Sequence, residues 1–273
     1  MRADLHLHSY YSDGLESPSQ VAKRARAAGL DLIALADHDS MGGCAEAQQA
    51  AARDRLTVLL AAEFTATLDG REIHLLGYFP EPPGREVCEH LKQMQAFRRR
   101  RIETTIERLQ KRGVPVKFED LPCAAVCESV TSAHLAALLA ERGYARSSRT
   151  AWRGLLNRKR GMLPQFEMSA EDVIRVIHAG GGLAIWAHPE RGQFRTRLEK
   201  LAVMGLDGIE AANARRGVQP ARDWQALARK MGLVATGGSD WHGGDGLGEF
   251  AAGPELLGEF LARLGVRLDT KSR

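Results

Sequence analysis

The sequence predicts an α/β fold: a distorted, TIM-like seven-stranded (β/α)7 barrel carrying a helical insertion. Three observations predict it. Short apolar runs alternate with helical patterns over most of the 273 residues, the arrangement that builds a parallel sheet. There are seven such runs, enough to close a barrel, although an open doubly wound sheet satisfies the same alternation. The alternation then breaks once, between about Arg85 and Met168, where the pattern is almost wholly helical.

In chain order the expected strands are Ala3–His8, Asp31–Ala36, Thr57–Ala62, Glu72–Phe79, Leu183–Ala187, Gly208–Ala211 and Val234–Gly237. Helices are expected at Ser17–Ala28, with a Ser17-Pro18 start and a Gly29 stop, and at Met41–Arg53, Ala170–Ala179 and Gln219–Met231. The insertion holds a long basic amphipathic stretch, Val87 to Arg112, then Thr131–Glu141 and a basic loop. The expected division is a barrel of residues 1–84 and 169–273, capped by a helical subdomain of residues 85–168.

Composition narrows the function classes. The hydrophobic fraction is 44% and the charged fraction 26%, ordinary for a globular enzyme. No apolar run approaches the length that spans a membrane, and the opening Met-Arg-Ala-Asp-Leu-His-Leu-His leaves no room for a signal peptide, so a cytoplasmic location is expected. The four cysteines form no C-x-x-C pair and are read as reduced, buried thiols. A formal charge of +4 is too weak to name nucleic acid as a partner but favours an anionic substrate. Nothing in the chain calls for an obligate protein partner.

The chemistry gathers at strand ends. His6 and His8 are spaced two apart on the first strand, so both leave one face, with Leu5 and Leu7 on the other. The strand runs into a loop carrying Asp13 before Gly14. The second strand ends Asp37-His38-Asp39, the third runs into Glu63, the fourth carries His74, the fifth ends at His188, and the last ends Ser239-Asp240-Trp241-His242. In α/β barrels functional residues collect at the carboxyl ends of strands. Any one of these, His74 among its aliphatic neighbours for instance, reads equally well as a core histidine bonded to a carbonyl. The set does not: six of the nine histidines, buried with three carboxylates and no cation, would leave many polar groups unpaired. Mixed imidazole and carboxylate donors suit manganese, zinc or iron. Nine candidate ligands are too many for one ion and fit two or three, with Glu63 as the bridge because a carboxylate has two oxygens to share. Such a centre lowers the pKa of bound water toward neutrality and so generates a nucleophile.

In this order, H-x-H, S-D-G, D-H-D, a lone glutamate, histidine, A-H-P and G-S-D-x-H, the motifs resemble those of the polymerase and histidinol phosphatase (PHP) family. The resemblance covers both ends of the chain, roughly Met1–Phe79 and Glu171–Gly248. It implies a distorted seven-stranded barrel holding up to three divalent ions. His6, His8, Glu63 and Asp240 would hold the first, Asp13, His38 and His242 the second, and Glu63, His74 and His188 the third. Asp4 and Asp37 would orient imidazoles. Within the family the chain is most similar to the nucleotide branch. That branch includes a phosphatase removing the 3′-phosphate of nucleoside 3′,5′-bisphosphates and enzymes degrading short RNA from its 5′ end. Two positions depart from its pattern: Ser132 stands where an arginine is usual, and Glu190 where a glycine is usual.

Arg191 and Arg160 are the candidates for phosphate contacts, since guanidinium forks match phosphate oxygens; for Arg160 a solvated surface arginine is the equal alternative. His134 is a candidate for touching substrate or protonating the leaving oxygen, against a structural role on its helix. The run Arg98–Arg101 wraps around a helix, so solvated charges account for most of it, with one or two facing the site. Two other functions compete: a phosphatase on another small metabolite such as histidinol phosphate, and a non-catalytic, metal-stabilised binding module. Every expected ligand position is filled, which argues against the module.

Overall fold

The computed structural model describes residues 1–52, 55–122, 126–157, 161–190, 192, 194–214 and 218–266. Seven strands form one sheet in sequence order: β1 (Ala3–Leu7), β2 (Leu32–Leu35), β3 (Thr57–Leu68), β4 (Arg71–Phe79), β5 (Leu183–Trp186), β6 (Gly208–Asn213) and β7 (Val234–Gly238). The sheet curls into a nearly closed barrel. Its seam is sewn where β1 meets the chain leaving β7: the Asp240 amide donates to the His6 carbonyl at 2.9 Å, and the His8 amide to the Trp241 carbonyl at 2.9 Å. An open sheet is thereby ruled out.

The sheet is not wholly parallel. β1, β2 and β3 run together, as do β5, β6 and β7, but β4 is antiparallel to both its neighbours. The reason is local. Asp69 and Gly70, the two residues between β3 and β4, both have positive φ (51° and 69°). An Asp-Gly pair in that conformation makes a tight hairpin, whereas a parallel partner needs a crossover of a dozen residues. The third strand therefore does not stop at Ala62 but runs through Glu63 to Leu68, paired with β4 along its last nine residues from Leu60.

The barrel interior is filled by alternate residues of its strands, including Leu5, Ala34, Ala61, Leu76, Ile185 and Val234, and plugged by Phe260 and Leu261 of helix Pro254–Leu264. Tyr78 crosses this interior, its hydroxyl donating to the Leu5 carbonyl at 2.7 Å. The pairing of β1 shifts register between Asp4 and Leu7. That irregularity breaks strict alternation, so Leu5 packs inside the barrel while Leu7 packs with the helices Pro18–Ala27 and Cys44–Ala51.

Between β4 and β5 the described residues contain no strand. The helices there are α3 (Arg85–Gln110), α4 (Ser132–Glu141), α5 (Ser148–Gly154) and α6 (Ala170–Ala179), counting Pro18–Ala27 and Cys44–Ala51 as α1 and α2. Ile102, Ile106, Leu109, Leu135, Leu139, Leu156 and Leu163 form an apolar cluster of their own. Helices Phe194–Val203 (α7), Val218–Lys230 (α8) and Pro254–Leu264 (α9) complete the chain; α5, α7 and α9 are additions to the helices expected. Among the described cysteines only Cys44 is buried; Cys88 is exposed and Cys127 half-buried. No helix among the described residues is long and apolar enough to cross a membrane.

The Phe260 plug sets a stability expectation. Its ring is fully buried and meets Tyr78 edge-on with centroids 5.0 Å apart. Phe260→Ala should cost about 3–5 kcal/mol, read as a lower urea midpoint with an unchanged slope.

Candidate metal centre

At the end of the barrel where the parallel strands finish, all nine expected ligand side chains converge around Glu63. His38 Nδ1 lies 3.0 Å and His6 and His8 Nε2 3.4 and 3.5 Å from Glu63 Oε2. His74 Nδ1 and His188 Nε2 lie 3.0 and 2.8 Å from Oε1. Asp240 Oδ1 stands 3.4 Å from His8 Nε2 and 3.7 Å from His6 Nε2. Asp13 completes the ring, 3.4 Å from His242 Nε2, 3.7 Å from His8 Nδ1 and 3.8 Å from His38 Nε2. Because β4 runs backwards, its site end is its beginning, which is why His74 stands early in its strand while the others stand late or just beyond.

The ligand-type atoms fall into three groups, each within 4.8 Å: His8, Asp13, His38 and His242; His6, His8 and Asp240; and His38, Glu63 and His74. His8 and His38 stand between neighbouring groups. His188, 3.3 Å from His74, borders the third.

Backbone strain is concentrated here. Among the described residues five non-glycines have positive φ, and three of them are Asp39 (45°), His188 (36°) and Asp240 (58°). Such a conformation costs an L-residue about 1–2 kcal/mol, so it has to be held by its surroundings. Each amide is tied to the site: Asp39 to the Glu63 carbonyl (2.9 Å), His188 to Glu210 Oε2 (3.0 Å) and Asp240 to the His6 carbonyl (2.9 Å). Close approach also explains Gly238, where a Cβ would stand 2.2 Å from the His6 Cβ.

Divalent cations fit this donor set. His6 Nε2, His8 Nε2, His38 Nδ1 and Glu63 Oε2 are buried atoms without a hydrogen-bond partner, although the three nitrogens lie 3.0–3.5 Å from that oxygen. Their approach lacks hydrogen-bond geometry; they aim at shared space. Leaving such atoms unsatisfied is costly, and a cation satisfies them all at once. The charge balance agrees. Burial pushes Glu63 up, but His38, His74 and His6 hold it well below the usual carboxylate range. Burial is likewise overridden at Asp13, by His38 and His242. His74 is lifted against burial to about 10 by Glu63 and Glu72, and His242 to about 9 by Asp13. Burial and the adjacent His242 take His8 down to about 3. The carboxylates thus stay ionised and hold protons on facing imidazoles, protons that a bound cation replaces.

The supporting contacts differ from expectation. Asp4 accepts from the His6 and Ser239 amides (3.3 and 2.8 Å), and Asp37 from the Ser9 amide and the Ser9 and Ser12 hydroxyls (2.8, 2.6 and 2.6 Å). Both fix the chain around the histidines rather than their rings. The carboxylate that orients an imidazole is Glu210 on β6, a strand given no role from sequence. Its Oε1 takes His6 Nδ1 at 2.9 Å, leaving Nε2 for the pocket. A glutamate inside the apolar run Gly208-Ile209-Glu210-Ala211 was the available signal.

The arginine run divides by helical spacing. Arg98 and Arg101, three apart, are buried, whereas Arg99 and Arg100 are exposed. Arg98 Nε donates to Asp39 Oδ2 at 2.6 Å and Nη2 to Thr65 Oγ1 at 2.5 Å, tying α3 to the residue beside His38. Arg101 meets Glu72 at 3.2 Å. His134 is in the capping box of α4: its Nδ1 accepts from the Thr131 amide at 3.0 Å, while the Thr131 hydroxyl donates to Asp13 at 3.0 Å. It reaches the site through that relay. Arg160 and Arg191 lie outside the described residues.

Comparison with known proteins agrees with this fold. The PHP domain family model matches residues 4–145, just over half of the chain. A 3′,5′-nucleoside bisphosphate phosphatase of Chromobacterium violaceum is 32% identical over 88% of this chain and 86% of its own length. A 5′-3′ exoribonuclease of Escherichia coli strain K12 is 32% identical over 88% and 84%. Among solved structures, a Bifidobacterium adolescentis protein ascribed to the metal-dependent phosphoesterases superposes with a TM-score of 0.85 at 29% identity, covering 97% of both chains.

Two substitutions test the contacts around the pocket. Glu210→Gln should weaken manganese binding by about 10–100-fold in a calorimetric titration, with the far-ultraviolet dichroism unchanged. Arg98→Leu should cost about 3–5 kcal/mol in urea unfolding, because it strands the buried Asp39 carboxylate; Asp39→Asn in the same chain should restore part of the loss.

Proposed function

This chain belongs to the PHP domain family, and on that premise we propose that it is a metal-dependent phosphoesterase of nucleotides, hydrolysing nucleoside 3′,5′-bisphosphates or short 5′-phosphorylated oligoribonucleotides. One observation carries the reading: six imidazoles and three carboxylates from across the chain meet around Glu63 with unpartnered donor atoms turned inward. The names of the two curated relatives support the substrate class.

In this proposal two to three divalent ions, of manganese, zinc or iron, are held by the sets the resemblance implies. His6, His8, Glu63 and Asp240 form one; Asp13, His38 and His242 another; Glu63, His74 and His188 the third. When bound, such ions supply Lewis acidity that lowers the pKa of water toward neutrality and offsets charge on phosphoryl oxygens. The chain's own residues do the rest. Glu210 holds His6 in one tautomer, Asp4 and Asp37 hold the β1 and β2 loops, and Arg98 anchors Asp39. Asp13, Glu63 and Asp240 return three negative charges, fewer than two or three divalent ions supply, so the pocket favours a phosphate dianion. His134 orients Asp13 through Thr131 and stands as the candidate proton donor to the leaving oxygen. Residues 85–168 act as a helical cap over the barrel. The free thiols of Cys44 and Cys88 support a cytoplasmic location.

Phosphate release with manganese, measured on a nucleoside 3′,5′-bisphosphate, on 5′-phosphorylated short RNA and on histidinol phosphate, tests the reading. Turnover of either nucleotide substrate is the expected result. Turnover of histidinol phosphate alone would move the substrate to another metabolite, and silence on all three would leave a metal-stabilised binding module. Asp240→Ala should abolish turnover while keeping the fold; full activity in that variant would sink the ligand assignment.

A further inference from the structure

Beside His74 and His188 a cleft of about 590 Å³ opens, with Arg71, Arg101, Arg197, Glu72 and Glu190 among its lining residues. Two rows of charge run into it from Glu63. In the first, His74 Nε2 faces Glu72 at 3.7 Å, Glu72 receives Arg101 at 3.2 Å, and the Arg101 guanidinium lies 4.2 Å over the Phe166 ring. In the second, two residues of chain lead from His188 to Glu190, whose carboxylate meets Arg197 at 3.3 Å and Arg71 at 4.0 Å.

The second row is incomplete. Arg197 is only 4% exposed, and its Nε has no hydrogen-bond partner. Its carboxylate partner, Glu190, is 74% exposed. A guanidinium carries five N–H donors in a fixed fork, and a buried one requires more than a single long contact to a solvated carboxylate. Exposed ion pairs contribute little, so Glu190 is readily displaced.

We propose that this cleft is a second anion subsite, in which Arg197, with Arg101, receives a phosphate of the substrate that does not react, and in which Glu190 is the counter-charge that this phosphate displaces. The inference rests on the nucleotide reading above and deepens it, since it requires a substrate with a second phosphate. The volume is that of a small-molecule site and accommodates a mononucleotide. The guanidinium fork of Arg197 matches the oxygens of a phosphate. A terminal phosphate of a bisphosphorylated mononucleotide and an internucleotide phosphate present the same oxygens to it.

Calorimetric binding of adenosine 5′-monophosphate and of adenosine, with and without manganese, reads the subsite without turnover. The wild-type chain should prefer the phosphorylated ligand by about tenfold or more, and Arg197→Gln should reduce that preference to about threefold or less. Glu190→Gln, at an exposed position, should tighten the phosphorylated ligand by about threefold or more. An unchanged preference in Arg197→Gln, or weaker binding in Glu190→Gln, overturns the proposal. Should Arg197→Gln fail to fold, Glu190→Gln decides alone. A dinucleoside monophosphate as a third probe separates the two sources: tighter binding than the mononucleotide assigns the subsite to an internucleotide phosphate, weaker binding to a terminal one. Turnover distinguishes the two readings. If the wild-type chain hydrolyses no nucleotide yet keeps a preference that Arg197→Gln removes, the subsite stands and the nucleotide hydrolase falls. If it hydrolyses bisphosphates and the preference survives Arg197→Gln, the subsite falls alone.

Discussion

The fold is organised around one buried carboxylate. Glu63 is wholly inaccessible, and five imidazoles stand within 3.5 Å of its two oxygens. A charge so placed is tolerated only when it is paired from every side. That requirement explains why the strand ends bend toward it, why strained backbone is kept at His188 and Asp240, and why the seam of the barrel closes through the very residues that bear ligand atoms. It also explains why Glu63 and Asp13 are held ionised, below the usual carboxylate range, and why His74 and His242 are made more basic: the pocket favours positive charge.

The β3–β4 hairpin brings that carboxylate to its place. A parallel β4 would have put His74 on the far side of a crossover connection. The tight Asp69-Gly70 turn instead lays β4 back along β3, so that Thr65 and His74 become direct partners across the pair. Glu63 and His74 then meet at 3.0 Å from two adjoining strands. Extending β3 beyond the barrel rim also presents Thr65 to Asp39 and Arg98, so the hairpin serves both the candidate metal centre and its junction with the helices.

That junction is ionic. Arg98 and Arg101 leave one face of α3 and enter the barrel rim, each against a carboxylate. A helix held by two buried charge pairs is oriented more narrowly than one held by apolar contact, because each pair has a required geometry. Thr131 adds a third tie, from the start of α4 to Asp13. The helical segment therefore contacts the ligand residues through polar groups, and its orientation bears directly on the shape of the pocket.

The chain order of the candidate ligand residues, their placement at the ends of apolar runs and the barrel itself were legible in the sequence, because burial along a strand and the period of its side chains are local properties. His6 with His8, Asp240 with His242, and the His188 that closes β5 are all of this kind. The Asp69-Gly70 turn is local as well and by itself reverses β4 against β3; only the pairing of β4 with β5 depends on distant chain. What the tertiary structure alone decided are the pairings across long separations. Glu210 selects His6 from 204 residues away, Asp39 selects Arg98 from 59, and Arg197 is left with a solvated partner beside a cleft. Two arginines of a run read as mostly solvated charge are buried, and Asp4 and Asp37 hold backbone rather than rings, for the same reason. Which charge is removed from water, and which group then satisfies it, depends on how distant segments pack, and no local spacing carries that information.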